Sequence, residues 1–320
     1  MAKRQITIVG LDQIGLSLAL AIRRSLPEAF VVGAETDPLL RRDAKKITAF
    51  DRIEADVLAA CREAVITIVN WPPSTLRETF TQIGPVLQDD SAVLCLTPVA
   101  VEMTKLGEEV LPSKVHFMSC HLMLHPDVNE QAAPNVDLFF GAVLCMTPTP
   151  HTHHDAIESG VNLARVLGAR PYFMDGLEHD GMLAALEGLP GLMSLAALLT
   201  ATRSAAWPEL NQVAGSLFAR VTQSALHPAL DSGAALALNR ADVVRWLDSF
   251  LATVKELRQA VNDNDTSKLN ALFDEAAKQR SAWLKSRPIA PYNEELARTG
   301  EPPSFKGFNP IIPGKIRDKF

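Results

Sequence analysis

The chain has 320 residues, of which 47% are hydrophobic and 21% charged, with a formal net charge of -6. That balance is typical of an ordinary soluble globular protein of about two domains with a large core. There is no basic block and no interleaving of aromatic with basic residues, so nucleic acid is not an expected partner.

The first ten residues, MAKRQITIVG, pass straight into a short apolar run, with no signal-peptide core or cleavage site. Apolar runs at 6–10, 30–34, 65–70, 92–97 and 115–119 read as buried parallel strands. Helical periodicity fills the gaps at 14–24, 39–46, 55–62, 75–87 and 101–110. Two more strand-like runs, 142–146 and 171–174, flank a helix at 155–167. Strands alternating with helices at this pitch predict an α/β domain over residues 1–174, a Rossmann-like, doubly wound and mainly parallel sheet. From Asp175 the strand signal stops, and helices are expected at 177–203, 209–226, 234–261 and 267–284. Residues 175–286 therefore read as an all-helical domain, with an irregular tail rich in proline and glycine over 287–320. The helix at 177–203 is apolar nearly all round, which predicts burial at a domain or subunit interface and so a homodimer. Its most apolar part, 189–201, is shorter than the roughly 20 residues of a bilayer span. No membrane partner is expected, and the chain reads as cytoplasmic. Cys61, Cys95, Cys120 and Cys145 form no CxxC pair and are expected to be buried reduced thiols.

The stretch ITIVGLDQIGLSLALAI runs from a strand through a glycine turn into a helix, the outline of a dinucleotide-binding turn. Gly10, Leu11, Asp12, Ile14 and Gly15 would form the turn, and Glu35 follows the second strand at about the 20-residue offset of a ribose-binding acid. Glu35 would repel a 2′-phosphate, which favours NAD over NADP. Asp12 stands where the second glycine belongs. At a helix start its carboxylate can cap the free N–H groups and fill the anion site, so weak NAD binding is expected. His151, His153 and His154 have no cysteine or carboxylate partner at ligand spacing except Asp155, so a solvated helix N-terminus is expected there and no metal.

Taken in order, VGLDQIGLSLALAI, AVITIVNWPPSTLRETFTQIGPVLQDDSAVLCLT, VHFMSCHLM, GAVLCMTPT, LGARPYFMDGLEHD and LPGLM resemble the prephenate and arogenate dehydrogenases of tyrosine biosynthesis. The resemblance implies an NAD-dependent oxidative decarboxylation of a small carboxylate substrate. Hydride leaves the ring carbon that bears the hydroxyl, and a histidine takes the hydroxyl proton. His121 matches that histidine; a hydrogen-bonded core histidine is the alternative for its local sequence.

Several positions depart from the family pattern. Val99 stands near the family's serine, Gly188 where a substrate-binding histidine belongs, and Gln223 close to a carboxylate-binding arginine. Arg220, one turn before Gln223, is a replacement cation if it faces the substrate. The acids of Glu178–Asp180 also read as helix caps. These departures, with Asp12, leave a second reading open: a catalytically degenerate homologue acting as a binding or regulatory module.

Overall fold

The computed structural model describes residues 4–126, 128, 133–226 and 233–286; the expected tail at 287–320 lies outside them. The chain divides into two compact units that part between Asp180 and Gly181.

The first unit is built on an eight-stranded sheet of order β3-β2-β1-β4-β5-β6-β7-β8. Its strands are β1 (Gln5–Val9), β2 (Phe30–Ala34), β3 (Arg52–Glu54), β4 (Ala64–Val69), β5 (Ala92–Leu96), β6 (His116–Met123), β7 (Val143–Met146) and β8 (Arg170–Phe173). All neighbouring pairs are parallel except β6 with β7. The connecting helices are α1 (Gln13–Ser25), α2 (Pro38–Ala44), α3 (Val57–Cys61), α4 (Pro73–Ile83), α5 (Ala100–Val110) and α6 (His154–Leu167). Successive side chains of a strand point to opposite faces, and both faces here are covered. Ile8, Ile68, Leu94 and Met118 enter one core with α1 and α6, while Val9, Val69, Cys95 and Phe117 enter the other with α4 and α5. This double burial gives the strands their near-continuous apolar sequences.

β3 was not expected, and β6 runs past its expected end at residue 119 to reach Met123. All four cysteines are buried thiols outside any disulfide, and burial pushes the Cys61 thiol up to about 12. That places them among inert structural thiols.

α7 (Gly176–Leu183) starts in the first unit, and the division falls inside it, beyond the expected boundary at Asp175. Asp180 stays with the sheet because its carboxylate is bound to the start of α5. A π-helical turn, Ala184–Gly188, leads into α8 (Leu189–Thr202). Pro190 has no N–H to give the preceding turn, which is a sufficient cause for the widened helix. The helical run Gly176–Thr202 is 27 residues long and apolar enough, by length and composition alone, to cross a membrane. The run exceeds the stretch 189–201 because the π-helical turn joins α7 to α8 without a break.

The second unit continues with α9 (Trp207–Val213), α10 (Ser216–Thr222), α11 (Ala234–Leu238), α12 (Arg240–Asn262) and α13 (Thr266–Ser286). Two helices expected to be unbroken are interrupted. Gly215 adopts an extended conformation between α9 and α10, and Asn239 leaves helical geometry between α11 and α12. Both residue types have low helix propensity, and apolar periodicity carries on across each break. Leu210, Val213, Leu217, Val221, Val254 and Val261 are exposed on this unit in the single chain.

Candidate active site

The first unit brings the expected nucleotide-turn residues together at the carboxyl ends of β1, β2 and β4. In an open α/β sheet the crevice where strand order reverses lies here, between β1 and β4. Gly10 has φ +96°, and a Cβ there would lie 2.4 Å from the Asn70 carbonyl oxygen. At Gly15 a Cβ would lie 1.9 Å from the Gly10 carbonyl oxygen, so the first turn of α1 can approach the strand only without a side chain.

Asp12 is the N-cap of α1. Its Oδ1 accepts the Gly15 N–H at 3.0 Å and the Asn70 Nδ2–H at 2.8 Å. Asn70 follows β4, so this second bond bridges the switch-point crevice. A cap of this kind stabilises a helix by about 1 kcal/mol. Burial raises the Asp12 carboxyl above the ordinary carboxylate range, against the pull of Gly15, Asn70 and Ile14, and the charge of Glu35 adds to the rise. Asp12 thus holds donors that a pyrophosphate would otherwise meet.

Glu35 is buried, and its two oxygens accept the Leu11 N–H and the Asp37 N–H, each at 2.9 Å. Each carboxylate oxygen retains further acceptor capacity, which suits a ribose diol. The site therefore fits the adenosine half of NAD, whereas the phosphate position carries the Asp12 cap.

His121 lies near the carboxyl end of β6 and is only 7% exposed. At about 4.8 Å per strand, it stands roughly 14 Å across the sheet from β1, on the same edge as the nucleotide turn. Its Nδ1 is 2.9 Å from the Thr97 carbonyl oxygen. A carbonyl can only accept, so Nδ1 carries the proton and Nε2 carries the basic lone pair. The ring stands edge-on to His179, with centroids 5.6 Å apart.

His179 Nδ1 in turn lies 2.9 Å from Asp180 Oδ1. The same carboxylate accepts the Ala100 N–H at 2.7 Å and the Val101 N–H at 3.1 Å. Val99, the N-cap of α5, supplies no side-chain bond, so Asp180 caps that helix from a distant point in the chain. The expectation that these acids cap their own helix is corrected for Asp180. Asn70, Thr97 and His179 were also absent from the sequence reading. A polar residue ending an apolar strand, as in VITIVN, was the available signal for Asn70.

Arg220 and Gln223 lie on the second unit and are exposed, Arg220 in the last turn of α10 and Gln223 opening a short 3-10 turn. Gly188 closes the π-helical turn and is buried, with space for a Cβ at ordinary contact distances. Packing does not demand glycine there.

Residues 18–173 match the nucleotide-binding domain of prephenate dehydrogenase, and residues 175–275 match its dimerization domain. The chain belongs to the prephenate dehydrogenase family. That family is one of NAD-dependent oxidoreductases, and the Rossmann-like sheet followed by helices is its fold. The matched segment begins at Leu18, beyond the Gly10–Gly15 turn.

Among relatives, cyclohexadienyl dehydrogenase of Zymomonas mobilis is 25% identical over 291 residues, covering 90% of this chain and 99% of that protein. Prephenate dehydrogenase of Bacillus subtilis is 24% identical over 284 residues, covering 87% and 76%. The solved prephenate dehydrogenase of A. aeolicus, in complex with hydroxyphenyl propionate and NAD+, superposes with a TM-score of 0.76 at 19% identity, covering 88% of this chain and 99% of that one. Arogenate dehydrogenase of Synechocystis gives 0.66 at 19% identity, covering 87% and 99%.

Proposed function

We propose that the protein catalyses the NAD-dependent oxidative decarboxylation of prephenate or a closely related cyclohexadienyl acid. The observation that carries this reading is the fixed tautomer of His121, on the same sheet edge as Glu35 and the nucleotide turn. Glu35 would hold the adenine ribose of NAD and the Gly10–Gly15 turn its phosphates, and the cofactor would supply the hydride acceptor. NAD is preferred to NADP because Glu35 is buried where a 2′-phosphate would bring like charge. At the substrate, the carbon bearing the hydroxyl gives up hydride, the hydroxyl proton passes to His121 Nε2, and the ring carboxylate leaves as CO2. His179 orients the His121 ring from its edge, and Asp180 holds His179. Arg220, three residues before Gln223, is our candidate for the cation that recognises the substrate carboxylate.

Replacing a bidentate cation with an amide weakens recognition of a dicarboxylate. Turnover of NAD with prephenate should therefore be measurable but slow, and arogenate, a dicarboxylate whose added ammonium group leaves one less net negative charge to neutralise, should be the better substrate. The rate of NADH formation with each acid checks this. Absence of both NAD binding and turnover would favour the degenerate homologue, a reading that the Asp12 cap and Val99, Gly188 and Gln223 support.

The protein is proposed to act as a cytoplasmic homodimer through its helical unit. Leu210, Val213 and Leu217, with Val254 and Val261, leave apolar surface on the single chain of the kind that subunit contacts cover. Light scattering at micromolar concentration should return the mass of a dimer. A monomer would leave the apolar run Gly176–Thr202 without an explanation.

A further inference from the structure

At the opposite end of β6 from His121, three side chains converge from two distant parts of the chain. His116 opens β6, His153 is the N-cap of α6, and Asp155 lies in the first turn of α6. One potential ligand atom from each lies within 4.8 Å of the other two. The two imidazoles are stacked, with centroids 3.9 Å apart and planes 10° from parallel. The His116 side chain is 10% exposed, and its Nε2 is enclosed with no hydrogen-bond partner among the described residues. Asp90 Oδ1 lies 3.6 Å from that nitrogen, beyond hydrogen-bond length.

A buried imidazole nitrogen without a partner is costly to the fold unless something binds it. The surrounding groups restrict what that can be: two imidazoles, a half-buried carboxylate and the exposed carboxylate of Asp90 present nitrogen and oxygen donors with net negative charge. An anion is repelled by the two carboxylates. We propose that His116, His153 and Asp155 bind a divalent transition-metal ion, Zn2+ being the best match to this donor set, with Asp90 as fourth ligand.

The approach to the site is held in place before any ion arrives. In the turn preceding α6, the Thr149 N–H bonds Thr152 Oγ1 at 2.8 Å and the Thr152 N–H bonds the Thr149 carbonyl at 3.0 Å. Tetrahedral coordination at about 2.0–2.2 Å needs a contraction of roughly 1 Å from the present spread, within reach of side-chain rotation. The ion would join the start of β6 to the start of α6. His116 and His121 are separated by about 17 Å of strand, so its role is structural and apart from hydride transfer.

The test is a titration of chelator-treated full-length protein with Zn2+, and with Co2+ as a visible-absorbing probe. One ion per chain should bind, with the Co2+ spectrum showing the intense bands of a four-coordinate N/O site. His116→Asn and His153→Asn should each weaken binding at least tenfold, while His151→Asn and His154→Asn should leave it unchanged. His153 is 54% exposed, so its variant reads the site even if His116→Asn does not fold. Binding should also raise the melting temperature of the wild type and not that of His153→Asn. The proposal is overturned if no ion binds, if binding survives in His153→Asn, or if His154→Asn abolishes it equally.

Discussion

His121→Asn is expected to lower kcat by roughly a hundredfold to ten-thousandfold, the range contributed by a positioned general base. The NAD dissociation constant should change by less than about twofold. The asparagine amide can still donate to the Thr97 carbonyl, as His121 Nδ1 does at 2.9 Å, so the local fold should survive. What disappears is the lone pair at Nε2. Stopped-flow turnover with the better of the two acids, paired with a fluorescence titration of NAD, separates the two quantities. Unchanged turnover would return His121 to the role of a core histidine. Parallel loss of NAD affinity would show that the substitution had disturbed the sheet edge rather than the chemistry.

The second large effect is expected at Asp12. A charged carboxylate about 5 Å from one phosphate charge, at an effective dielectric near 20, opposes binding by about 3 kcal/mol, on the order of a hundredfold in affinity. Solvent screening reduces this figure. Asp12→Gly should therefore tighten NAD binding at least tenfold, although it removes a cap worth about 1 kcal/mol to α1. The wild type should show a pH dependence that the variant lacks. Burial raises the Asp12 carboxyl, so it takes up a proton at a higher pH than an exposed carboxylate. Protonation removes the like charge, and wild-type affinity should rise as pH falls through that raised value. Calorimetric titration of both proteins over a pH series checks the sign. Low-micromolar binding by wild type, unaffected by Asp12→Gly, would mean that the Asp12 side chain turns away from the phosphates on binding.

The sheet was readable because its strands are buried on both faces, which leaves unbroken apolar runs between helical segments. β3 escaped because its residues, Arg52–Glu54, are only partly buried at the sheet edge and include two charged side chains. The breaks at Gly215 and Asn239 escaped because apolar spacing continues across them. In the site, Gly10, Gly15, Glu35 and the Asp12 cap were legible because each acts within a few residues or at a fixed offset along the chain. The bond from Asn70 to Asp12 and the cap from Asp180 to α5 join residues 58 and 80 apart in sequence, and no local pattern encodes them. The pairing of His116 with His153 is hidden in the same way: each histidine alone is unremarkable until β6 and α6 are packed.

The two glycines that survive in the nucleotide turn have a consequence for how such turns are interpreted. Both are held by collision with main-chain atoms, Gly10 against the Asn70 carbonyl and Gly15 against the Gly10 carbonyl. Neither depends on a ligand, so a descendant that had stopped binding nucleotides would keep them as faithfully as one that had not. The glycine missing at position 12 is of the other kind: the fold accepts a side chain there and even uses it. Gly10 and Gly15 are thus records of architecture, and position 12 is where selection by the phosphate can be read.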